Sequence, residues 1–308
     1  MNELLSRWAG RDKLRDAAVG SPAARELVTR FVAGEHLDEL APVLHTLTGQ
    51  GLMISVEYLG EPVTDLEVAE ANLQGYLGLI ARLMTEGLAQ GAELSVRLGW
   101  LGQELGAHAQ GYALDAARRI ARAASNAGMT VTVDMAGAEL VASVLAIWGQ
   151  LRQDFPRTGI TFQAALHRTP SDLADLATPG TRIRLCKGAF REPRELALRS
   201  KHEVDLAFVR GLRSLMASQA VPLIATHDPR LVAISEELIR RSGRADDSYE
   251  FQMLYGVRPL EQRRLVDVGH PTRCYIPFGP GWFDYYLRRL AERPASAALF
   301  ARSLVGKR

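Results

Sequence analysis

Eight short β-like runs succeed one another after residue 50, most of them separated by amphipathic helical stretches. They are "LMISVEYL" (52–59), "ELSVRLG" (93–99), "MTVTVDM" (129–135), "GITFQAAL" (159–166), "RIRLCKG" (182–188), "VPLIATH" (221–227), "YEFQML" (249–254) and "RCYIPF" (273–278). Segments such as "DAARRIARAASNAG", closing on Gly128, carry the helical period and a stop signal. Strand–helix alternation calls for parallel strands joined by helical crossovers, and eight such units close into a (β/α)8 barrel. The expected fold class is α/β, a TIM barrel over residues 51–308, with residues 1–50 as an N-terminal helical segment packed on it. No internal repeat or low-complexity linker breaks the rhythm.

Strand parity carries the argument further, because successive side chains point to opposite faces. Val96 and Leu98 oppose Ser95 and Arg97; Val131 and Val133 oppose Thr132 and Asp134; Ile160 and Phe162 oppose Thr161 and Gln163; Phe251 and Met253 oppose Glu250, Gln252 and Leu254. With the apolar set facing the helices, Arg97, Asp134, Gln163, Arg184, Thr226, Gln252 and Tyr275 point into the barrel. They fall towards the C-terminal ends of their strands, where barrel enzymes build their sites. A lumen this polar must be satisfied, and a large polar-edged ligand is the simplest expectation. Asp134 needs a partner there, and Arg97 on the neighbouring strand is the natural one.

Composition excludes more than it selects. The 308 residues carry a formal charge of +2, and no basic run or aromatic-basic stripe suggests a nucleic-acid partner. No apolar stretch approaches the ~18 residues of a membrane helix. The N-terminus lacks the order of a secretory signal, and Cys186 and Cys274 are far apart without metal-ligand spacing, so a cytoplasmic protein is expected. Only Lys13, Lys187, Lys201 and Lys307 are lysines among 37 basic residues, which weakens any argument from arginine alone.

In "YYLRRLAERP" (285–294), Tyr285, Arg288, Arg289 and Glu292 share one helical face. Taken alone, this face reads as a solvated salt-bridge surface. "GPGWF" (279–283) lacks the third glycine of a phosphate loop and reads as a turn.

In company, these stretches say more. "RLCKGAFREP", "ATHDPR", "YEFQMLYGVRPLEQRRL" and "YIPFGPGWFDYYLRRLAERP", with "RFVAGE" and "YLGEPV" upstream, resemble the proline dehydrogenase family. The resemblance spans nearly the whole chain. It implies a distorted (β/α)8 barrel with non-covalent FAD that oxidises L-proline to Δ1-pyrroline-5-carboxylate. Electrons pass to a membrane quinone, with peripheral contact on the inner face of the cell membrane, and a separate pyrroline-5-carboxylate dehydrogenase takes the product. It implies that Arg288 and Arg289 bind the substrate carboxylate, that Arg97 also binds the substrate, and that Arg97, Asp134 and Tyr275 complete the catalytic set. Tyr285, Tyr275 and Leu254 would wall the ring, and Glu61 would gate the pocket by pairing with a helix arginine. Gln163, Arg184, Lys187, Gly188, Ala189, Thr226, His227, Gln252 and Glu292 fall at positions around FAD. A guanidinium fork suits the bidentate recognition of a carboxylate.

The sequence departs from the family pattern at Arg97 (usually lysine), Glu57 (aspartate), Phe190 (tyrosine) and Ala165 (often aromatic). All are expected near the substrate side, so a ring-substituted imino acid of secondary metabolism is the alternative substrate. Two other classes stay open on the residues alone: a Schiff-base barrel lyase using Lys187, and a ligand-binding barrel without catalysis.

Overall fold

The computed structural model describes residues 28–106, 108–190 and 192–292, with side chains given as far as Leu287 in the last helix. All eight expected strands form: β1 (Met53–Tyr58), β2 (Glu93–Val96), β3 (Thr130–Val133), β4 (Gly159–Gln163), β5 (Arg182–Cys186), β6 (Val221–Ala225), β7 (Glu250–Leu254) and β8 (Thr272–Phe278). They pair in parallel, in sequence order, and β8 closes on β1. Helix α1 (Leu37–Gly49) precedes the barrel. The crossovers are α2 (Leu66–Thr85), α3 (Ala109–Asn126), α4 (Val141–Asp154), α5 (Thr169–Leu176), α6 (Lys201–Ala217), α7 (Pro229–Ser242) and α8 (Pro259–Asp267). Helix α9 (Trp282–Glu292) follows β8. Residues 1–27 lie outside the described set, so of the N-terminal segment only α1 and the stretch before it are seen.

Local chemistry starts these helices where the strands end. Asp65 caps α2 by accepting from Val68 N at 3.0 Å, Ser200 and Glu203 form a capping box on α6, and Asp228 caps α7 with Pro229 in its first turn. The main core lies between the strands' outer faces and the helices: Val96, Val133, Phe162, Leu185, Phe251 and Ile276 are buried against Leu79, Ile120, Trp148, Phe208 and Leu212. "GPGWF" is a turn, as expected. At Gly281 a Cβ would lie 2.2 Å from the Gly60 carbonyl oxygen, so only glycine lets β8's exit cross that of β1.

The lumen is not the usual stack of branched aliphatics. Glu93 accepts from Ser55 and Thr132 at 2.8 and 2.7 Å, and from Arg184 and Arg182 at 2.5 and 3.1 Å. Arg273 grips Glu250 through Nε and Nη2 at 2.8 and 3.0 Å. The polar interior was expected to need a ligand; instead most of it is satisfied by its own side chains. The reason is charge balance, since each inward arginine meets an inward glutamate or aspartate from another strand.

Candidate active site

The C-terminal mouth is organised around Asp134, just beyond β3. Its Oδ1 accepts from Arg184 Nη1 at 2.6 Å and Thr161 Oγ1 at 3.0 Å; its Oδ2 accepts from Ser95 Oγ at 2.9 Å and Tyr275 OH at 2.7 Å. Four donors use all the acceptor positions of a carboxylate. Arg184 also donates to Ser95 Oγ at 2.6 Å and Gln252 Oε1 at 2.5 Å, and its guanidinium carbon lies 5.1 Å from the centre of the Tyr275 ring. Burial would weaken the Arg184 charge, but Asp134 and Glu93 outweigh it and hold the group above the usual arginine range. Burial, reinforced by Asp134, pushes the Tyr275 hydroxyl well above its ordinary value, so it remains a donor.

Arg97 does not partner Asp134. Its Nη2 donates to Glu57 Oε1 at 2.7 Å, and its guanidinium carbon lies 5.8 Å from the centre of the Trp100 ring. The expected pair is corrected for a geometric reason. Glu57 is in register with Ser95, two residues before Arg97 and on the same face, while Arg184 reaches across from β5 and occupies Asp134. Thr226 is a second correction. Register places Leu223 beside Arg184 and Ala225 beside Gln252, so those two share the inward face. The strand ends at Ala225, and Thr226 belongs to the following loop, where its Oγ1 accepts from Asp228 N at 3.3 Å.

The remaining expected residues divide by strand end. Gln163 donates to the Ala136 carbonyl at 3.0 Å. Gly188, at φ +112, lies against Gln163 and Ala165, and Gly188, Ala189 and Phe190 are exposed at the exit of β5. Lys187 Nζ pairs with Asp205 and, at 3.1 Å, with Asp228, so it is engaged as a double ion-pair donor rather than presented as a nucleophile. His227 Nε2 accepts from Leu254 N at 2.7 Å, which fixes the ring nitrogen proton on Nδ1 and ties the exit of β6 to that of β7. Leu254 and Tyr275 are register neighbours on the inward face. Glu61 is exposed, but Asn72 clamps its backbone: Asn72 Oδ1 accepts from Glu61 N and Nδ2 donates to Glu61 O, both at 2.9 Å.

Helix α9 carries Tyr285, Arg288, Arg289 and Glu292; the side chains of the last three lie outside the described residues. Its first two turns pack in a small apolar cluster of their own, in which Trp282, Phe283, Tyr285 and Tyr286 bury against Leu59 and against Val28 and Val32 of the preceding segment. Tyr285 is buried in this cluster. Gly279 N donates to the Gly34 carbonyl at 3.1 Å and Trp282 Nε1 to Glu35 Oε2 at 3.1 Å, so "RFVAGE" is a strap across the base of the helix. Beside the lumen, a cavity of about 550 Å³ is walled by Arg97, Trp100, Leu105, Leu140 and Phe190, with Glu104, Glu139 and Glu192 among its other residues.

Residues 41–302 match a family model described as proline dehydrogenase. The chain belongs to the proline dehydrogenase family. It is 32% identical over 278 residues to "Proline dehydrogenase 1" of Bacillus subtilis (strain 168), covering 90% of each chain. It is 30% identical over 284 residues to "Proline dehydrogenase 2" of the same organism, covering 92% of each. Among solved structures, the proline utilization A protein of Bdellovibrio bacteriovorus inactivated by N-propargylglycine shares the fold, with a TM-score of 0.81 at 23% identity. That match covers 87% of this chain and 33% of the other, so the chain spans about a third of that protein's length.

Membership in the proline dehydrogenase family puts the mouth of the lumen in chemical context, and sequence reasoning missed part of what supports it. Glu93, Arg182, Glu250 and Arg273 form the floor beneath Arg184, and Asn72 ties the exits of β1 and β2 together, also donating to the Trp100 carbonyl at 3.0 Å. The floor was in reach: the alternation that places Arg184, Gln252 and Tyr275 inward, continued two residues earlier along each strand, gives Arg182, Glu250 and Arg273, and four residues before Arg97 it gives Glu93.

Proposed function

We propose that this chain oxidises L-proline to Δ1-pyrroline-5-carboxylate with bound FAD, passes the electrons to a quinone, and leaves its product to a separate pyrroline-5-carboxylate dehydrogenase. The observation that carries the reading is the pair Leu254 and Tyr275, register neighbours on the inward face, on strands whose last, β8, leads directly into the helix α9 that bears Arg288 and Arg289. The arginine pair would take the substrate carboxylate as a fork, and Leu254, Tyr275 and Tyr285 would wall the apolar ring.

The strand ends fit a flat cofactor. Ala165, Gly188 and Ala189 project no more than a methyl group there, and a Cβ on Gly188 would come within 3.2 Å of Gln163 Oε1. Gln163, Arg184, Lys187, Gly188, Ala189, Thr226, His227, Gln252 and Glu292 are the residues that would hold FAD, which when bound accepts a hydride from C5 of the ring. The pair of electrons on the proline nitrogen forms the new C=N bond, so the nitrogen must already be unprotonated. Asp134 is saturated by four donors, and the Tyr275 hydroxyl is itself a donor to it. Neither is therefore the group that takes that proton, and activity rises with pH as the substrate amine deprotonates.

Two measurements test this reading. The purified protein should be yellow, release intact FAD on heating, and bleach anaerobically on addition of proline. A colourless protein that stays inactive after incubation with FAD would sink it, as would direct reduction of NAD without a partner enzyme.

A further inference from the structure

Glu57 is buried and only half paired. Its Oε1 accepts from Arg97, but Oε2 has no hydrogen-bond partner among the described residues, and Arg97 Nε beside it has none either. The side-on arginine–carboxylate fork, Nε and Nη2 onto both oxygens, would satisfy the two together. The pair is one bond short of that fork, and Glu57 is the anchor: its side chain is 1% exposed, against 26% for Arg97.

The surroundings decide what Arg97 can recognise. Arg97 is the one cation in the described wall of the 550 Å³ cavity, whereas Glu104, Glu139 and Glu192 all border it. Burial would weaken the Arg97 charge, and Glu57 is the strongest influence restoring it. At the top of the lumen Arg97 and Arg184 face Glu57 and Asp134, two charges of each sign. A ligand carboxylate approaching Arg97 therefore meets Glu57 within the same few ångströms, and attraction and repulsion largely cancel.

We propose that Glu57 is a specificity-determining residue. It neutralises Arg97 and draws it onto the cavity wall beside Trp100, so that the pocket takes imino acids with a single carboxylate and an uncharged ring and rejects those bearing a second acidic group. The inference rests on the reading of α9 as the carboxylate-binding helix.

Matched probes test it: cyclopentanecarboxylate and cis-cyclopentane-1,3-dicarboxylate, titrated calorimetrically into the flavin-loaded protein. The native protein should bind the monocarboxylate at least roughly tenfold more tightly. Glu57→Gln, which leaves Arg97 with a net charge, should shrink that preference by roughly tenfold. Adding Arg97→Met to Glu57→Gln should restore it, which a purely structural role for Glu57 would not do. Glu57→Asp withdraws the carboxylate by one methylene and should give the same trend, smaller, which serves if Glu57→Gln does not fold. Equal binding of the two probes by the native protein overturns the proposal, and so does an unchanged preference in a folded Glu57 variant. If the monocarboxylate does not bind the native protein at all, the reading of α9 fails, and this inference with it.

Discussion

Arg184 joins non-adjacent strands across the lumen: its Nη2 lies 2.5 Å from Glu93 Oε1, linking β5 to β2 beneath the mouth. Glu93 also holds Arg182, so its removal takes a carboxylate from two guanidinium groups at once, leaving Arg184 to Asp134 and Arg182 to Glu250 at 3.5 Å. Breaking a buried pair from one side costs about 3–5 kcal/mol. Glu93→Ala should therefore lower stability to denaturant by about that much. Glu237→Ala, which removes an exposed partner of Arg240 and Arg241, should cost less than about 1 kcal/mol.

The same glutamate sets an acid limit. Burial pushes its carboxyl up, but Arg184, Arg273 and Arg182 together pull it down, well below the ordinary carboxylate range. A group depressed in the folded state stabilises fully above its unfolded pKa of ~4.3 and loses that contribution as pH falls below it. Thermal melts from pH 6 down to pH 3 should show a steep loss in the native protein. Glu93→Gln should start less stable and fall less steeply.

Both cysteines should be quiet. Burial, aided by Asp134, raises the Cys186 thiol to about 11, and burial raises Cys274 to about 12. At pH 8 the thiolate of Cys186 is then on the order of one part in a thousand, so iodoacetamide should label the folded protein slowly and the unfolded chain fast. The sign for stability is opposite to that of Glu93. Unfolded thiols release their protons from ~8.5 upward while the folded ones keep them, so stability falls as pH rises from there towards 11.

Tyr275→Phe removes the donor to Asp134 but keeps the ring over Arg184. The lost hydrogen bond to a charged acceptor should cost about 1.5–3 kcal/mol of stability. Because Tyr275 is a fixed donor rather than the base, the pH dependence of proline oxidation should keep its apparent pKa. A displaced profile would make the hydroxyl a participant in proton removal.

What could be read from the sequence follows from what alternation and spacing encode. All eight strands formed where short β-like runs recur, and where apolar residues alternate with polar ones parity placed Arg97, Asp134, Gln163, Arg184, Gln252 and Tyr275 inward. Thr226 failed because β6 is nearly continuous in apolar residues, "VPLIA", so parity there has no polar marker to fix it. The pairing of Arg97 with Glu57 was out of reach because partner choice depends on side chains that reach in from non-adjacent strands. Asp134 is filled from β5, three strands away in sequence order from β2, by a residue whose reach no local pattern reports. The strap was visible as a motif, "RFVAGE", but its role depends on contacts with residues some 250 positions later.

That strap offers a test of how α9 is held. Gly256, in the turn after β7, has φ +71, and a Cβ there would lie 1.6 Å from the Arg30 carbonyl oxygen and 2.7 Å from its carbon. Both obstacles are backbone, so Gly256→Ala must push the strap away. Phe31 and Val32 follow directly and pack against Tyr286 and its neighbours, so α9 loses part of its seat. If Arg288 and Arg289 bind the substrate carboxylate, a small displacement of the helix spoils the fork, and the KM for proline should rise by roughly tenfold or more with kcat less affected. Alanine at a positive φ also costs about 1 kcal/mol by itself. Gly243→Ala separates the two effects, because Gly243 has φ +62 at the end of α7 and nothing within 4 Å of a Cβ. It should lose similar stability with no change in KM. Equal KM values in the two variants would show that the strap does not set the position of the helix.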